Sequence, residues 1–311
     1  MSPILSLMQT ALELGLISSL TVLALFLSYS MLNICDLSTD GCFTLGACVG
    51  SVVALSGHPL LAVPAAMIAG MLSGLTTAVL QTRMGIDSLL SGIIVNTGLY
   101  SVNIAIMGGS SILNLNKSAT VFSLSKDMLS DTPFKGASRL AVIILAVSLV
   151  VVFLSLFLKT RFGLALRATG NNPDMVRSSS INTVMIITVG LCISNSFTAL
   201  SGCLLAAMQK SANIDIGSGM LTVSLASLLI GRAFMGKGKI PMRAVGAVMG
   251  AFVFRLVYTI ALRFNMPTFM LKLVSSVIVI FAIFIPYMKS RVPILKRKAA
   301  HASGRGEEGN A

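Results

Sequence analysis

Apolar residues fall along this chain in long blocks that are separated by short polar or basic segments. Nine blocks lie near residues 11–30, 43–56, 60–81, 88–107, 140–158, 184–207, 219–231, 244–262 and 270–287. A helix needs about 20 apolar residues to cross a hydrocarbon core of about 30 Å. No block alternates with the period of two that a membrane β-barrel requires. The pattern therefore predicts an all-α, polytopic membrane bundle of about nine spans.

Two of the blocks, 43–56 and 219–231, are too short to cross a membrane as straight helices. Each follows a polar stretch that contains glycine, at 36–41 and 213–219 respectively. Irregular backbone is tolerated at membrane depth only where protein buries it or where it lines a cavity. The sequence thus predicts two broken spans beside a central cavity, with two ordinary loops as the alternative.

The composition is typical of an integral membrane protein. Of 311 residues, 55% are apolar and 11% are charged, and the mean hydropathy is +0.91. A soluble domain carries about 25% charged residues, so a soluble globular protein is excluded. We expect residues 1–288 to form one transmembrane domain and 289–311 to form a basic, disordered cytoplasmic tail.

The distribution of basic residues predicts how the bundle is oriented. Lysine and arginine concentrate in segments 159–183, 232–243 and 289–311, and such an excess is typical of cytoplasmic segments. With nine spans, the N-terminus and segment 108–139 then lie outside. The formal net charge of +13 is spread over loop ends and the tail, without an aromatic-interleaved basic face, so no nucleic-acid partner is expected. The basic cluster at 296–298 in the tail is expected either to touch anionic membrane lipid or, as the favoured alternative, to serve only as a flank that stops transfer of the last span.

Residues for catalysis or metal binding are not arranged in any recognisable motif. The five cysteines lie in or beside apolar blocks without the spacing of a zinc site. The chain also lacks a phosphate-binding Gly-Lys-Ser/Thr loop. We therefore expect no enzyme activity and no cofactor, and any ATP that drives this protein must bind to another chain.

Polar side chains inside the apolar blocks indicate where a solute could pass, because such residues are costly in a membrane and usually functional. Asn96 and Asn103 lie seven residues apart and therefore share one face of a helix. The alternative is that such residues only hold helices together through hydrogen bonds. The predicted pathway residues are Asp36, Asp40, Asn96, Asn103, Asn195 and Asp215.

Arg255 is a basic residue deep within an apolar block, where a charge normally faces the bundle interior and has a partner. The sequence leaves three candidate partners open: Asp36, Asp40 and Asp215.

Glycines four residues apart favour close approach of helices. Examples of this spacing are Gly70 with Gly74 and Gly246 with Gly250.

The basic segment 159–183 carries signals for a short helix between two spans. Gly170 permits a turn, Asn172 is placed to cap a helix, and Pro173 suits the first helical position. Asp174 follows in the first turn, where the helix dipole favours an acid. A short, capped, basic helix on the cytoplasmic face is suited to docking into the groove of a partner protein.

This segment resembles the coupling loop of permeases from the ribose and branched-chain amino-acid branch of ATP-binding cassette (ABC) importers. Stretches 33–41 and 227–231, with the glycine-lysine-glycine turn at 236–238, resemble two further elements of that family. By this resemblance, the loop residues that couple to an ATPase are Arg167, Gly170, Asn171, Asn172, Pro173, Asp174 and Arg177. The family's usual first helix is expected to be missing, and Ser180 stands where many relatives have glycine.

The resemblance implies a permease subunit of the bacterial inner membrane that imports a small solute, an amino acid or similar. It also implies a homodimer of this chain, two ATPase subunits docked inside and an external substrate-binding protein or lipoprotein. Within the branch, the chain resembles an uncharacterised permease group, some members of which are associated with tryptophan or tyrosine uptake. The alternatives are an ion-coupled secondary transporter and, with less support from the residues, a membrane enzyme or scaffold.

Overall fold

The helices of this protein follow the apolar blocks of the sequence closely. The computed structural model describes residues 3–116, 118–128, 138–235 and 238–263, together with 273, 276–281 and 284. The α-helices in this part are α1 Pro3–Leu25, α2 Thr39–Leu55, α3 Pro59–Thr82, α4 Ser88–Ile106, α5 Val121–Met128, α6 Ser138–Phe157, α7 Arg161–Asn171, α8 Pro173–Ser178, α9 Thr183–Gln209, α10 Met220–Met235 and α11 Ile240–Arg263. A π-helical turn, Phe26–Met31, extends α1.

Six of the described helical segments are long and apolar enough to cross a membrane: Met8–Met31, Pro59–Thr82, Ser88–Ile106, Ser138–Phe157, Thr183–Gln209 and Ile240–Ala261. The two short blocks of the sequence form the shorter apolar helices α2 and α10. The all-α, polytopic membrane bundle is therefore confirmed. The count of nine spans is not established, because the last block, 270–287, falls largely outside the described residues, as does the predicted tail at 289–311.

Segment 108–139, which the sequence predicts as a loop, contains secondary structure of its own. Strand β1, Ile112–Asn114, pairs antiparallel with strand β2, Ser211–Asn213, and Ile112 lies opposite Asn213. The segment also carries the amphipathic helix α5. A three-residue strand lacks the length to show an alternating pattern, so only the folded chain reveals this pairing.

Helix α9 lies at the centre of the bundle, where α2 and α3 approach it through glycines. A Cβ atom on Gly46 would collide with the backbone of Ala199, and one on Gly70 would collide with Ala199 and the Asn195 carbonyl. Gly74 packs against the α9 backbone in the same way. These contacts confirm the predicted packing role of the Gly70 and Gly74 pair.

The second glycine pair joins α10 to α11. Gly246 packs against Gly231 and Met235, and Gly250 packs against the Ser227 carbonyl. The predicted packing role is confirmed here as well. In contrast, the outer faces of α3 and α6 expose large apolar side chains such as Leu72 and Leu149, as expected for helices that face lipid.

We expect Gly46→Ala to destabilise the bundle, because the added methyl group overlaps the α9 backbone at Ala199. Overpacking of this kind costs about 1–3 kcal/mol. The matched control is Gly98→Ala in α4, since a Cβ atom there meets nothing within 4 Å. Thermal unfolding of the purified protein in detergent measures the effect. Equal melting temperatures for the two variants would show that α2 and α9 are not in close contact.

Candidate functional site

The first broken span is held by the carboxylate of Asp36. Asn33 adopts a left-handed conformation with φ 57°, and the helix resumes only at Thr39. The backbone N–H of Ser38 donates to Asp36 Oδ1 at 2.8 Å, and Nδ2 of Asn195 donates to Oδ2 at 2.7 Å. Asp36 and Asn195 are each 1% exposed. A buried carboxylate thus joins the break to the middle of α9.

The second break, which precedes α10, is held by Asp40, an acid in the first turn of α2. The backbone N–H of Gly219 donates to Asp40 Oδ2 at 2.9 Å, and that of Leu221 donates to Oδ1 at 2.7 Å. These groups belong to the start of α10, whose first N–H groups have no partner within the helix. A carboxylate is favourable at this end of the helix dipole. The two breaks, about 180 residues apart in the chain, are therefore in direct contact.

The extent of the first break differs from the prediction of 36–41. Thr39, Asp40 and Gly41 form the first turn of α2, and the irregular backbone covers residues 33–38. The cause is local, since Thr39 Oγ1 donates to the Asp36 carbonyl at 2.8 Å. The second stretch, predicted at 213–219, is non-helical as predicted, and the non-helical backbone begins earlier, at residue 211, where β2 starts.

Helix α4 supplies two amides to the same place. Nδ2 of Asn103 donates to the Gly41 carbonyl at 3.2 Å. Oδ1 of Asn96 lies so close to Gly41 that a Cβ atom there would be 2.6 Å from it. The prediction that Asn96 and Asn103 share one helical face is confirmed. Oδ1 of Asn103 is buried without a hydrogen-bond partner among the described residues.

Five of the six predicted pathway residues thus converge on the start of α2: Asp36, Asp40, Asn96, Asn103 and Asn195. The side chain of Asp215 is exposed and lies at the second break. Asp36, Asn103 and Asn195 are each 1% exposed, so in this structure they are enclosed by protein and do not line an open cavity. The close contacts that α9 makes with glycines of α2 and α3 account for this burial. The role of the six residues in transport stays a prediction.

The basic segment 159–183, here called the coupling segment because it resembles the family's coupling loop, contains two short helices, α7 and α8. The N–H of Gly163 donates to Oγ1 of Thr160, which caps α7, at 3.2 Å. The N–H of Met175 donates to Oδ1 of Asn172, which caps α8, at 3.1 Å. The predicted cap at Asn172, with Pro173 at the first helical position, is confirmed.

The prediction that Gly170 makes a turn is wrong. Gly170 lies within α7, and the chain turns at Asn172, which has φ −155° and ψ 96°. Gly170 is instead a contact point, because a Cβ atom there would collide with the carbonyl of Met31 and the backbone of Leu32. The left-handed conformation falls on Ser180, φ 58°, a conformation that glycine adopts more easily than serine.

The contact of Gly170 connects the coupling segment to the first break. Met31 ends the π-helical turn, and the irregular backbone begins two residues later. Leu32 also packs near Leu166 of α7 where both approach Gly190 of α9. A displacement of α7 would therefore press directly on the chain that leads into Asp36.

The partner of Arg255 is a residue that sequence reasoning missed. Nε of Arg255 donates to Oγ of Ser18 at 3.3 Å, and the guanidinium lies 5.5 Å from the ring centroid of Tyr258. Of the three predicted aspartates, Asp36 and Asp40 accept hydrogen bonds at the breaks, and the side chain of Asp215 is exposed at the second break. Glu13 was also missed. It is 7% exposed in α1 and accepts from Gln9 at 3.2 Å, and its signal was a lone acid within the first apolar block.

The described helices form a multi-pass membrane bundle, and comparison with known proteins identifies the family. The family model "Branched-chain amino acid transport system / permease component" matches residues 7–283. The chain belongs to this family of ABC permease subunits, which confirms the resemblance seen in the sequence. It also supports a multi-pass protein of the inner membrane.

Named relatives span several solutes. The chain is 33% identical over 284 residues to the tyrosine transport system permease protein of Clostridioides difficile, covering 90% of each chain. It is 24% identical over 261 residues to the ribose import permease protein RbsC of Escherichia coli, covering 82% of this chain and 77% of the relative. It is 23% identical over 251 residues to a nucleoside ABC transporter permease protein of Lactococcus lactis, covering 74% of each. No solved structure matches the chain.

We expect Asn195→Leu to destabilise the protein, because it leaves Oδ2 of Asp36 buried without a donor. The loss of such a partner costs about 1–3 kcal/mol, and more for a charged group. Adding Asp36→Asn should recover part of the loss, since a neutral amide is cheaper to bury than a carboxylate. Thermal unfolding of the wild type, both single variants and the double variant gives the coupling energy. Strictly additive effects would contradict the pairing.

Proposed function

We propose that this chain imports an amino acid or similar small solute across the bacterial inner membrane as the permease of an ABC importer. Two copies form the channel, separate ATPase subunits dock on α7 and α8, and an external binding protein delivers the solute. The observation that carries the proposal is the contact of Gly170 with Met31 and Leu32, which joins the coupling segment to the broken span.

The orientation follows from the same proposal. The coupling helices and the basic segments 159–183 and 232–243 face the cytoplasm, and the N-terminus lies outside. Positive charge favours the cytoplasmic side of a membrane. The β1–β2 ribbon and α5 then stand on the external face, where a binding protein would approach.

The proposed coupling residues act through shape and position. Pro173 and the cap at Asn172 set the direction of α8. Asp174 and Arg177 are 3.8 Å apart and largely exposed, so their ion pair contributes little to stability and leaves both charges free for a partner. Arg167 and Asn171 lie in α7 beside Gly170. Movement of this unit by the ATPases would bias the break at Asp36 between two arrangements.

The proposed solute class is supported by one relative. The chain's 33% identity to a permease named for tyrosine transport exceeds its identity to relatives named for ribose and nucleoside. Amino-acid import is therefore the substrate class that we propose.

The experiment is uptake by the complex of this chain with its cognate ATPase and binding protein in proteoliposomes. We expect accumulation of labelled tyrosine or another amino acid that requires ATP and the binding protein, with ribose as the comparison solute. Uptake that follows a proton or sodium gradient without ATP would favour the secondary-transporter alternative and overturn the proposal.

We expect Gly170→Ala to uncouple transport, because its methyl group would push α7 away from Met31 and Leu32 at a cost of about 1–3 kcal/mol. ATP hydrolysis should continue while uptake falls. Asn172→Ala removes only a cap worth about 1 kcal/mol and should have a milder effect. The control is Ala168→Ser, which adds one atom at an exposed position of the same helix. Normal uptake by Gly170→Ala would show that this contact does not transmit the ATPase movement.

A further inference from the structure

Two arginines from neighbouring helices line one recess, and Arg167 of α7 lies at the same end of the bundle. Arg243 lies in the first turn of α11, Arg232 in the last turn of α10 and Arg167 in α7. Arg232 and Arg243 line the same recess between α10 and α11. The proposed coupling function uses Arg167 but gives no role to Arg232 or Arg243.

Arg243 is held in place but its charge is not neutralised. Its Nη2 donates to Oγ of Ser30 at 3.0 Å, and its guanidinium lies 5.6 Å from the ring centroid of Phe26. Its Nε is buried and has no hydrogen-bond partner among the described residues. A guanidinium offers five donors and binds anions through two of them at once. The fixed position leaves donors free for a ligand.

Within the described ranges, no carboxylate pairs with these arginines, since the ion pair recorded there joins Arg177 to Asp174. Like charges held close together and partly withdrawn from water are unfavourable without an anion. The arrangement therefore lacks a counter-charge that a bound anion would supply.

A small recess separates Arg232 from Arg243. Its walls are Phe26, Ser30, Leu228, Gly231, Arg232, Met235 and Arg243, and its volume is about 10 Å³. Such a volume accepts about one water-sized group. A single oxygen of a larger anion fits inside, while the remaining oxygens stay at the rim beside the exposed side chain of Arg232.

The surroundings of the recess are apolar. Met242, Val245 and Met249 are exposed on a different face of α11 from Arg243, and Phe234 at the end of α10 is 72% exposed. A ligand that carries an anionic head and apolar tails matches both parts of this surface. A free anion would use only the arginines.

We propose that this recess binds the phosphate of an anionic phospholipid, such as phosphatidylglycerol, in the cytoplasmic leaflet. One phosphate oxygen enters between Arg232 and Arg243, and the acyl chains lie along the exposed face of α11. Basic pockets between membrane helices on the cytoplasmic side are suited to such headgroups. The leaflet assignment rests on the proposed orientation, whereas the phosphate site rests on the arginines and the recess between them.

The test is lipid retention by the full-length permease, purified from nanodiscs that contain equal phosphatidylglycerol and phosphatidylcholine and measured by native mass spectrometry. We expect selective retention of phosphatidylglycerol, reduced about fivefold by Arg232→Gln or Arg243→Gln, which corresponds to the loss of about 1 kcal/mol of phosphate binding at the recess. Arg243→Lys should bind at an intermediate level because it keeps the charge but loses the two-donor geometry. Arg161→Gln, which removes an exposed arginine from α7, is the matched control and should leave retention unchanged.

Several results would overturn the proposal. Equal retention of the two lipids, or equal loss for Arg161→Gln and Arg232→Gln, would indicate general surface charge. Displacement of phosphatidylglycerol by millimolar inorganic phosphate, with phosphate then bound to the detergent-solubilised protein, would identify a free-anion site. Unchanged lipid retention together with weaker ATPase binding would assign the arginines to the ATPase interface. Because Arg232 is exposed, its variant keeps the test available if Arg243→Gln fails to fold.

Lipid retention is measured without ATPase, ATP or solute, so it does not depend on whether the chain transports an amino acid. Labelling of a cysteine introduced at Ser178 tests the orientation separately. External labelling of that position would overturn the cytoplasmic leaflet and the proposed coupling function, while leaving the phosphate site itself to the retention result.

Discussion

The hydrogen bond between Asn195 and Asp36 is the interaction on which the centre of this protein depends. A helix that breaks inside a membrane exposes backbone groups that lipid cannot satisfy. Asp36 meets this constraint by accepting from Ser38 within the break and from Asn195 in α9. Asp40 does the same for the second break. Two carboxylates thus make both irregular segments compatible with a buried position.

These hydrogen bonds require helices that approach one another unusually closely. The glycines of α2 and α3 allow the backbone of α9 to come within contact distance, as at Gly46 and Gly70. The same closeness encloses Asp36 and Asn195. Opening a path through this region therefore requires helices to move as units, which a local change of side-chain conformation would not achieve.

The coupling segment lies where such a movement can be started. Gly170 contacts the end of the π-helical turn, and Asp36 follows a few residues later. Force applied to α7 and α8 reaches the break through packed backbone, without a flexible linker. This short route, on a chain that belongs to an ABC permease family, is the physical basis for the proposed transport cycle.

Sequence alone determined the features that depend on local pattern. Long apolar blocks specified the membrane helices, Asn172 and Pro173 specified the start of α8, and the spacing of Asn96 and Asn103 specified their common face. Each of these follows from hydrophobic periodicity or from the backbone preference of a few neighbouring residues.

Only the tertiary structure decided which distant residues meet. It paired Asp36 with Asn195, placed Asp40 at the start of α10, gave Arg255 a hydroxyl and an aromatic ring in place of an acid, and turned Gly170 from a predicted turn into a contact. The local sequence around an aspartate or a glycine does not indicate which distant residue it will contact. That choice is made by helix packing, which brings together groups that lie more than 100 residues apart.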